Sequence, residues 1–276
     1  MARSSFEWVE AGGPPKIFIW GPSGCGKTYT MLSLLEVFAE GKDVAVIDTE
    51  GGKSRKYAHR WPLRQVRPKD HSPDTYIALM DEVEKDDSIN ALGIDSFSHA
   101  WIGKNGIVDI HDRHAAMSNK NNFSAWAIAT PEQRRLVDRI LEFNKPLVCT
   151  ARAHDAWGVD EGGRPRDMGE RPMQGKGIWY EFDVWGYMDH THTLRIDKSD
   201  CSSLDGVEIR YPGKAFAMEI LNWTKTGVGL SEADVLRRRI REAARRSNNG
   251  DWHSMVDMVG DDVEALTAVL ETLEGE

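Results

Sequence analysis

No apolar run in this 276-residue chain approaches the ~20 residues that a membrane-spanning helix needs, so no membrane partner is expected. Met1 to Glu10 lacks the apolar stretch of a secretory leader. Cysteine is scarce: Cys25, Cys149 and Cys201 are widely spaced and odd in number, and none belongs to a Cys-x-x-Cys pair. That pattern excludes a disulfide scaffold and a cysteine-based structural zinc site, and it points to a reducing, cytoplasmic setting. Internal repeats and low-complexity segments are missing as well. Hydrophobic residues at 40% and charged residues at 29% are enough for a buried core, which excludes a disordered tail protein. At ~150 residues per domain, the length accommodates one large domain or one domain with an appendage.

Positive charge is absent from residues 249–276, which hold eight acids (Asp251, Asp257, Asp261, Asp262, Glu264, Glu271, Glu274, Glu276). Removing those charges from the net −9 leaves residues 1–248 at −1. Immediately before this tail, Ser231 to Arg246 reads as a basic helix with Arg237, Arg238, Arg239, Arg241, Arg245 and Arg246. Ser231 is its expected N-cap, with Asp234 at the third position. After Gly227 and Gly229 the composition changes, so the chain is divided into residues 1–228 and a helical appendage, 229–276, that carries the acidic tail. Such asymmetry marks an interaction or autoregulatory segment, or else a solvated helix face.

What the chain does have is an alternation of short apolar runs and longer amphipathic stretches. Lys16–Trp20, Val44–Ile47, Ala91–Ile94 and Pro146–Cys149 are continuously apolar, as parallel strands buried on both faces should be. Thr28–Glu40, Asp74–Lys85 and Pro131–Phe143 read as helices, the last with Thr130 as its cap and Pro131 at its first position. Phe182–Met188, His192–Ile196 and Val207–Arg210 read as shorter strands of the same sheet, and Lys214–Trp223 as a helix. The expected fold is α/β, with a mostly parallel, helix-flanked central sheet.

The segment Gly21-Pro22-Ser23-Gly24-Cys25-Gly26-Lys27-Thr28 matches the phosphate-binding loop G-x-x-x-x-G-K-[ST] in full. Glycines let backbone N–H groups wrap phosphates, and the helix that follows aims its positive end at the anion. Lys27 supplies a point charge, Thr28 a hydroxyl for Mg²⁺, and the nucleotide is expected to contact the loop from Gly21 through Tyr29. Asp95, ending the third apolar run, is the expected acid for Mg²⁺. Asp48 and Glu50 close the second run. Ligands of open α/β sheets lie at the carboxyl ends of strands, so Gly21, Glu50, Asp95 and Thr150 should converge. A carboxylate there can activate water, which makes Glu50 a candidate base, although a plain surface acid before Gly51-Gly52 fits the position equally.

With "IDTEGG" between the phosphate loop and "GIDS", the chain resembles the RecA/recombinase-type ATPases. It is most similar to the small phage-type RecA-like proteins linked to single-strand annealing recombination. Softer similarities are "WYEFDV", "RIDKSD" and "NWTKTG", so the likeness spans roughly residues 15–227. The resemblance implies a RecA-like ATPase that uses ATP and Mg²⁺, with Glu50 as catalytic base and the Asp95-Ser96 pair as the Mg²⁺ motif. It implies a γ-phosphate sensor at the end of the fourth strand, where the family typically has Gln and this chain offers Arg152, with His154 nearby. It makes Lys198 the lysine that reaches a neighbouring subunit's nucleotide, hence a homo-oligomer. It also implies single-stranded DNA as partner, together with a single-strand-binding or annealing protein, in a phage-infected host's cytoplasm.

Two loops are the candidates for that DNA. Residues 103–122 carry Lys104, Arg113 and Lys120. Residues 155–176 carry Arg164, Arg166, Arg171 and Lys176, with Trp157 and Trp179 near the ends, and cations with aromatic faces suit a single strand. Lys53–Lys69 holds seven Lys or Arg and can serve the nucleotide or a subunit contact. The acidic tail would then compete with DNA for cationic sites. Two other readings stay open: a small-molecule P-loop kinase with Arg164–Arg171 as its lid, and a slowly hydrolysing, nucleotide-gated recruitment protein. A GTPase is disfavoured, because Asp197-Lys198-Ser199-Asp200 lacks the Asn or Thr of a guanine motif. The pairs His111/His114 and His190/His192 lack a third ligand at a convincing spacing, and are expected to be polar surface residues.

Overall fold

A computed structural model of the chain describes residues 12–117, 122–159, 164–227, 229, 231–247 and 252–274. The first strand, β1 (Lys16–Gly21), sends Ile17 and Ile19 into one apolar cluster and Phe18 and Trp20 into another. A strand apolar on both faces must be covered on both. Helices α1 (Lys27–Phe38) and α6 (Lys214–Thr226) cover the first face through Leu32, Leu35, Phe216 and Ile220. Helices α2 (Pro73–Lys85) and α5 (Asn122–Glu142) cover the second through Tyr76, Met80, Leu136 and Ile140.

The other strands are β2 (Asp43–Asp48), β3 (Arg64–Val66), β4 (Ile89–Asp95), β5 (Leu147–Val159), β6 (Pro165–Pro172), β7 (Val184–Met188), β8 (Thr193–Ser199) and β9 (Glu208–Arg210), and all but β6 continue the sheet of β1. The order is β3-β2-β4-β5-β1-β7-β8-β9, parallel as far as β7 and antiparallel for β8 and β9. This is the expected α/β sheet, and its register aligns the strand tips: Gly21 lies opposite Arg152, and Asp48 opposite Asp95. Gly93, which interrupts the apolar run of β4, is where α1 comes closest. A Cβ there would stand 2.8 Å from Leu35 and 2.9 Å from Met31.

Helices α7 (Glu232–Ser247), α8 (Trp252–Val259) and α9 (Val263–Glu274) share an apolar cluster of their own, built on Leu236, Ile240, Leu266 and Leu270. Ser231 Oγ accepts the Asp234 amide at 3.2 Å, as an N-cap does. Arg237 of α7 donates to the Gly260 carbonyl at 2.7 Å and pairs with Asp261, so one acid of the tail meets one arginine of the basic helix. Asp251 and Glu276 lie outside the described residues.

Four expectations are corrected. Pro131 does not open a helix: α5 runs from Asn122, and Pro131 sits inside it. The turns before it bury Ala125 and Ala129, and α5 packs along α4 (Ile107–Met117), so the helix continues through a proline that costs ~3 kcal/mol in a helix interior. Residues 103–122 are not a loop, because α3 (Ser98–Ile102) leads into α4, which fills most of that range; Lys120 lies outside the described residues. Residues 155–176 are not an irregular loop either. β5 continues past the sheet and pairs with β6 as an antiparallel ribbon, His154 opposite Arg171 and Gly158 opposite Arg166. Finally, His111 is buried, its ring 4.3 Å from that of Trp126.

Candidate nucleotide site

The phosphate loop leaves β1 at Gly21 and enters α1 at Lys27. Gly24 and Gly26 hold left-handed backbone angles of 84° and 105°, which an L side chain rarely adopts. No side chain caps α1, so its first-turn N–H groups are open to an anion. Beneath the loop, Gly21 presses on the end of β7, where a Cβ would stand 2.1 Å from the Met188 carbonyl oxygen. That neighbour is backbone and cannot swing aside. Gly21→Ala is therefore expected to cost about 1–3 kcal/mol. The melting temperature should fall by about 2–4 °C per kcal/mol in a chain of this size, and an unchanged value would contradict the packing.

Lys27 Nζ donates to the carbonyls of Gly21 at 2.8 Å and Pro22 at 2.6 Å. Thr28 donates to Asp95 Oδ2 at 2.6 Å and Thr150 to Oδ1 at 2.5 Å. Burial pushes the Asp95 carboxyl above its ordinary value, against the hydrogen bonds from Thr150 and Thr28 that favour the anion. Asp48 is not a site acid: it accepts the amides of Glu50, Gly52 and Ser54 and the side chains of Ser54 and Gln65, which knits the turn after β2. That turn aims Glu50 inward. Glu50 receives Arg152 on both oxygens, at 2.6 and 2.7 Å, and Lys53 at 2.9 Å. Burial alone would raise its carboxyl, but Arg152 and Lys53 outweigh burial and lower it to about 2.

These groups line a cavity of about 570 Å³, walled by Ser23, Gly24, Gly26, Lys27, Thr28, Tyr29, Glu50, Asp95 and Arg152. Its volume lies within the range of small-ligand pockets. Gly21, Pro22 and Cys25, expected to contact the nucleotide, are not in the wall, and Cys25 is buried. Lys198 is not in the wall; it donates to the Phe182 carbonyl at 2.5 Å and pairs with Asp200 at 3.0 Å. His154 is exposed and also outside the wall. Lys53, Tyr57 and Ser96 complete the lining; the sequence pointed to Lys53 only as the start of a basic run and to Ser96 only as the partner of Asp95, and it did not single out Tyr57. Tyr57 and Tyr29 meet edge to face at 6.1 Å, Tyr29 meets Trp61 at 4.9 Å, and Arg60 lies over the rings of Tyr29 and Trp61. Such a lip can take a flat base against an aromatic face. The only advance signal was an aromatic residue inside the basic run after Glu50.

The donor set fits a nucleoside triphosphate with a divalent cation. Left-handed glycines and an uncapped helix end suit phosphate oxygens, and the Thr28 hydroxyl beside the Asp95 carboxylate is hard-oxygen chemistry suited to Mg²⁺. Comparison with known proteins agrees in class. The AAA domain family matches residues 13–209, most of the chain, and the protein belongs to that family of P-loop nucleotide-binding NTPases. No curated protein matches the chain. Among the described residues no helix is long and apolar enough to cross a membrane.

Proposed function

We propose that this NTPase is a Mg²⁺-dependent, RecA-like ATPase that acts on single-stranded DNA in recombination, repair or annealing. The observation that carries the reading is the path of β5. One strand passes from Thr150, bonded to Asp95, through Arg152, bonded to Glu50, and out into the ribbon with β6. That ribbon exposes Arg164, Arg166 and Arg171, and the segment after it exposes Lys176, Trp179 and Tyr180. Cations that track phosphates and aromatic faces that stack bases make a surface for a single strand. A strand bound there would bear on the backbone that carries Arg152.

In this reading Thr28 and Asp95 hold Mg²⁺, which when bound neutralises charge on the phosphates. Lys27 and the loop amides bind the triphosphate, Glu50 takes the proton of the attacking water, and Arg152 senses the γ-phosphate. Lys198, already tied to Phe182 and Asp200 within its own subunit, must exchange those partners to reach a neighbour's nucleotide. The test is ATP turnover with and without single-stranded DNA. DNA should raise the rate, and affinity should fall steeply with salt, because phosphate contacts release counterions. Turnover indifferent to DNA, or phosphate passed to an added small acceptor, would remove the DNA reading.

A further inference from the structure

His192 stands in the turn between β7 and β8, far from the phosphate loop in sequence, yet it touches the loop from behind. Its Nδ1 lies 2.8 Å from the Cys25 carbonyl oxygen. A carbonyl only accepts, so Nδ1 carries the proton in this contact. The turn is built to hold the ring there. Asp189 accepts the amides of Thr191 and Thr193 and the Thr191 hydroxyl, at 2.8–2.9 Å. The His192 amide donates to the Asp189 carbonyl at 3.1 Å, and the His192 carbonyl accepts the Tyr211 amide at 2.8 Å. Tyr211 covers the ring at 5.4 Å between centroids. His192 also takes a left-handed backbone angle of 62°, a conformation uncommon outside glycine and tolerated best by Asn, Asp and His.

We infer that His192 is a positioning residue for the phosphate cradle. A trans peptide points its C=O and the next N–H in opposite directions. Pinning the Cys25 carbonyl outward to His192 therefore turns the Gly26 N–H inward, and Gly26 lines the cavity. The ring also backs Gly26, where a Cβ would come within 3.1 Å of Nδ1. His192 thus preorganises a phosphate-binding donor without touching nucleotide; without that contact the Cys25–Gly26 peptide could flip, because the backbone of Gly26 permits the rotation. The inference rests on the nucleotide reading of this cavity.

The test compares His192→Ala, which has no donor, with His192→Asn, whose amide N–H stands near the place of Nδ1 and which accepts the left-handed angle. ATP affinity is read by calorimetry with a non-hydrolysable analogue, and turnover by phosphate release. Losing one preorganised hydrogen bond should raise Kd and KM about tenfold in the Ala variant. The rate constant kcat should stay within about twofold, because the contact serves ground and transition states alike. The Asn variant should return to near wild-type affinity. Should His192→Ala fail to fold, His192→Phe keeps the ring packing on Tyr211 without the donor and is read by the same criterion. Wild-type protein that binds no nucleotide removes the nucleotide reading and the inference with it. Wild-type binding matched by the donor-less variant, or an Asn variant as weak as Ala, overturns the inference alone.

Discussion

Lys27→Ala is expected to reduce ATP turnover to below about 1% of wild type. Three cationic side chains line the cavity, and two of them, Lys53 and Arg152, are paired with Glu50. Lys27 alone among these has no carboxylate partner among the described residues; its ammonium rests on the carbonyls of Gly21 and Pro22, poised over the cradle. A charged hydrogen bond to phosphate contributes about 1.5–3 kcal/mol to binding, and more where charge develops in the transition state. Alanine also leaves two loop carbonyls without their donor, so lost charge must be separated from a disordered loop. Lys27→Met keeps the aliphatic stem, and its melting temperature checks the fold. Both variants should lose turnover equally. A Met variant that keeps a tenth or more of the activity would show that the ammonium is not what the site requires.

Where the sequence spoke clearly, the physics was local. Buried parallel strands are continuous apolar runs, so the sequence itself marks the tips that carry Gly21, Glu50, Asp95 and Thr150, and the phosphate loop marks its own strand and helix. What stayed hidden depended on partners distant along the chain. Pro131 reads as a helix start until Ala125 and Ala129 are seen packed beside α4. Residues 151–159 and 165–172 are polar and glycine-containing, and they become a ribbon only because each pairs with the other. Asp48 and Glu50 are indistinguishable as acids two residues apart; β2 ends at Asp48, and the turn that Asp48 anchors carries Glu50 to the cavity. His192 carries no motif at all, and its place behind the loop follows from β7 lying beside β1.

Glu50→Gln is expected to lower turnover by about 10²–10⁴-fold while leaving ATP binding intact, if Glu50 is the base of the proposed mechanism. The geometry adds a condition. A carboxyl held at about 2 by Arg152 and Lys53 is a weak proton acceptor, so Arg152 must leave it before it can take a proton from water. A γ-phosphate is the natural competitor for that guanidinium, which would couple nucleotide arrival to activation of the base. Glutamine keeps the shape of Glu50 but gives Arg152 no anion to hold. A stability measurement separates this account from simple disruption. The depressed folded-state value means that ionised Glu50 stabilises wild type above its unfolded value, near 4.5, and this stabilisation is lost as pH falls toward 2. The Gln variant should lack that segment of the acid unfolding curve and still melt cooperatively at neutral pH. Turnover lost together with that segment identifies the carboxylate charge as the agent. Turnover at the wild-type rate would take the role of base away from Glu50, leaving the Arg152 pair as an anchor for the turn after β2.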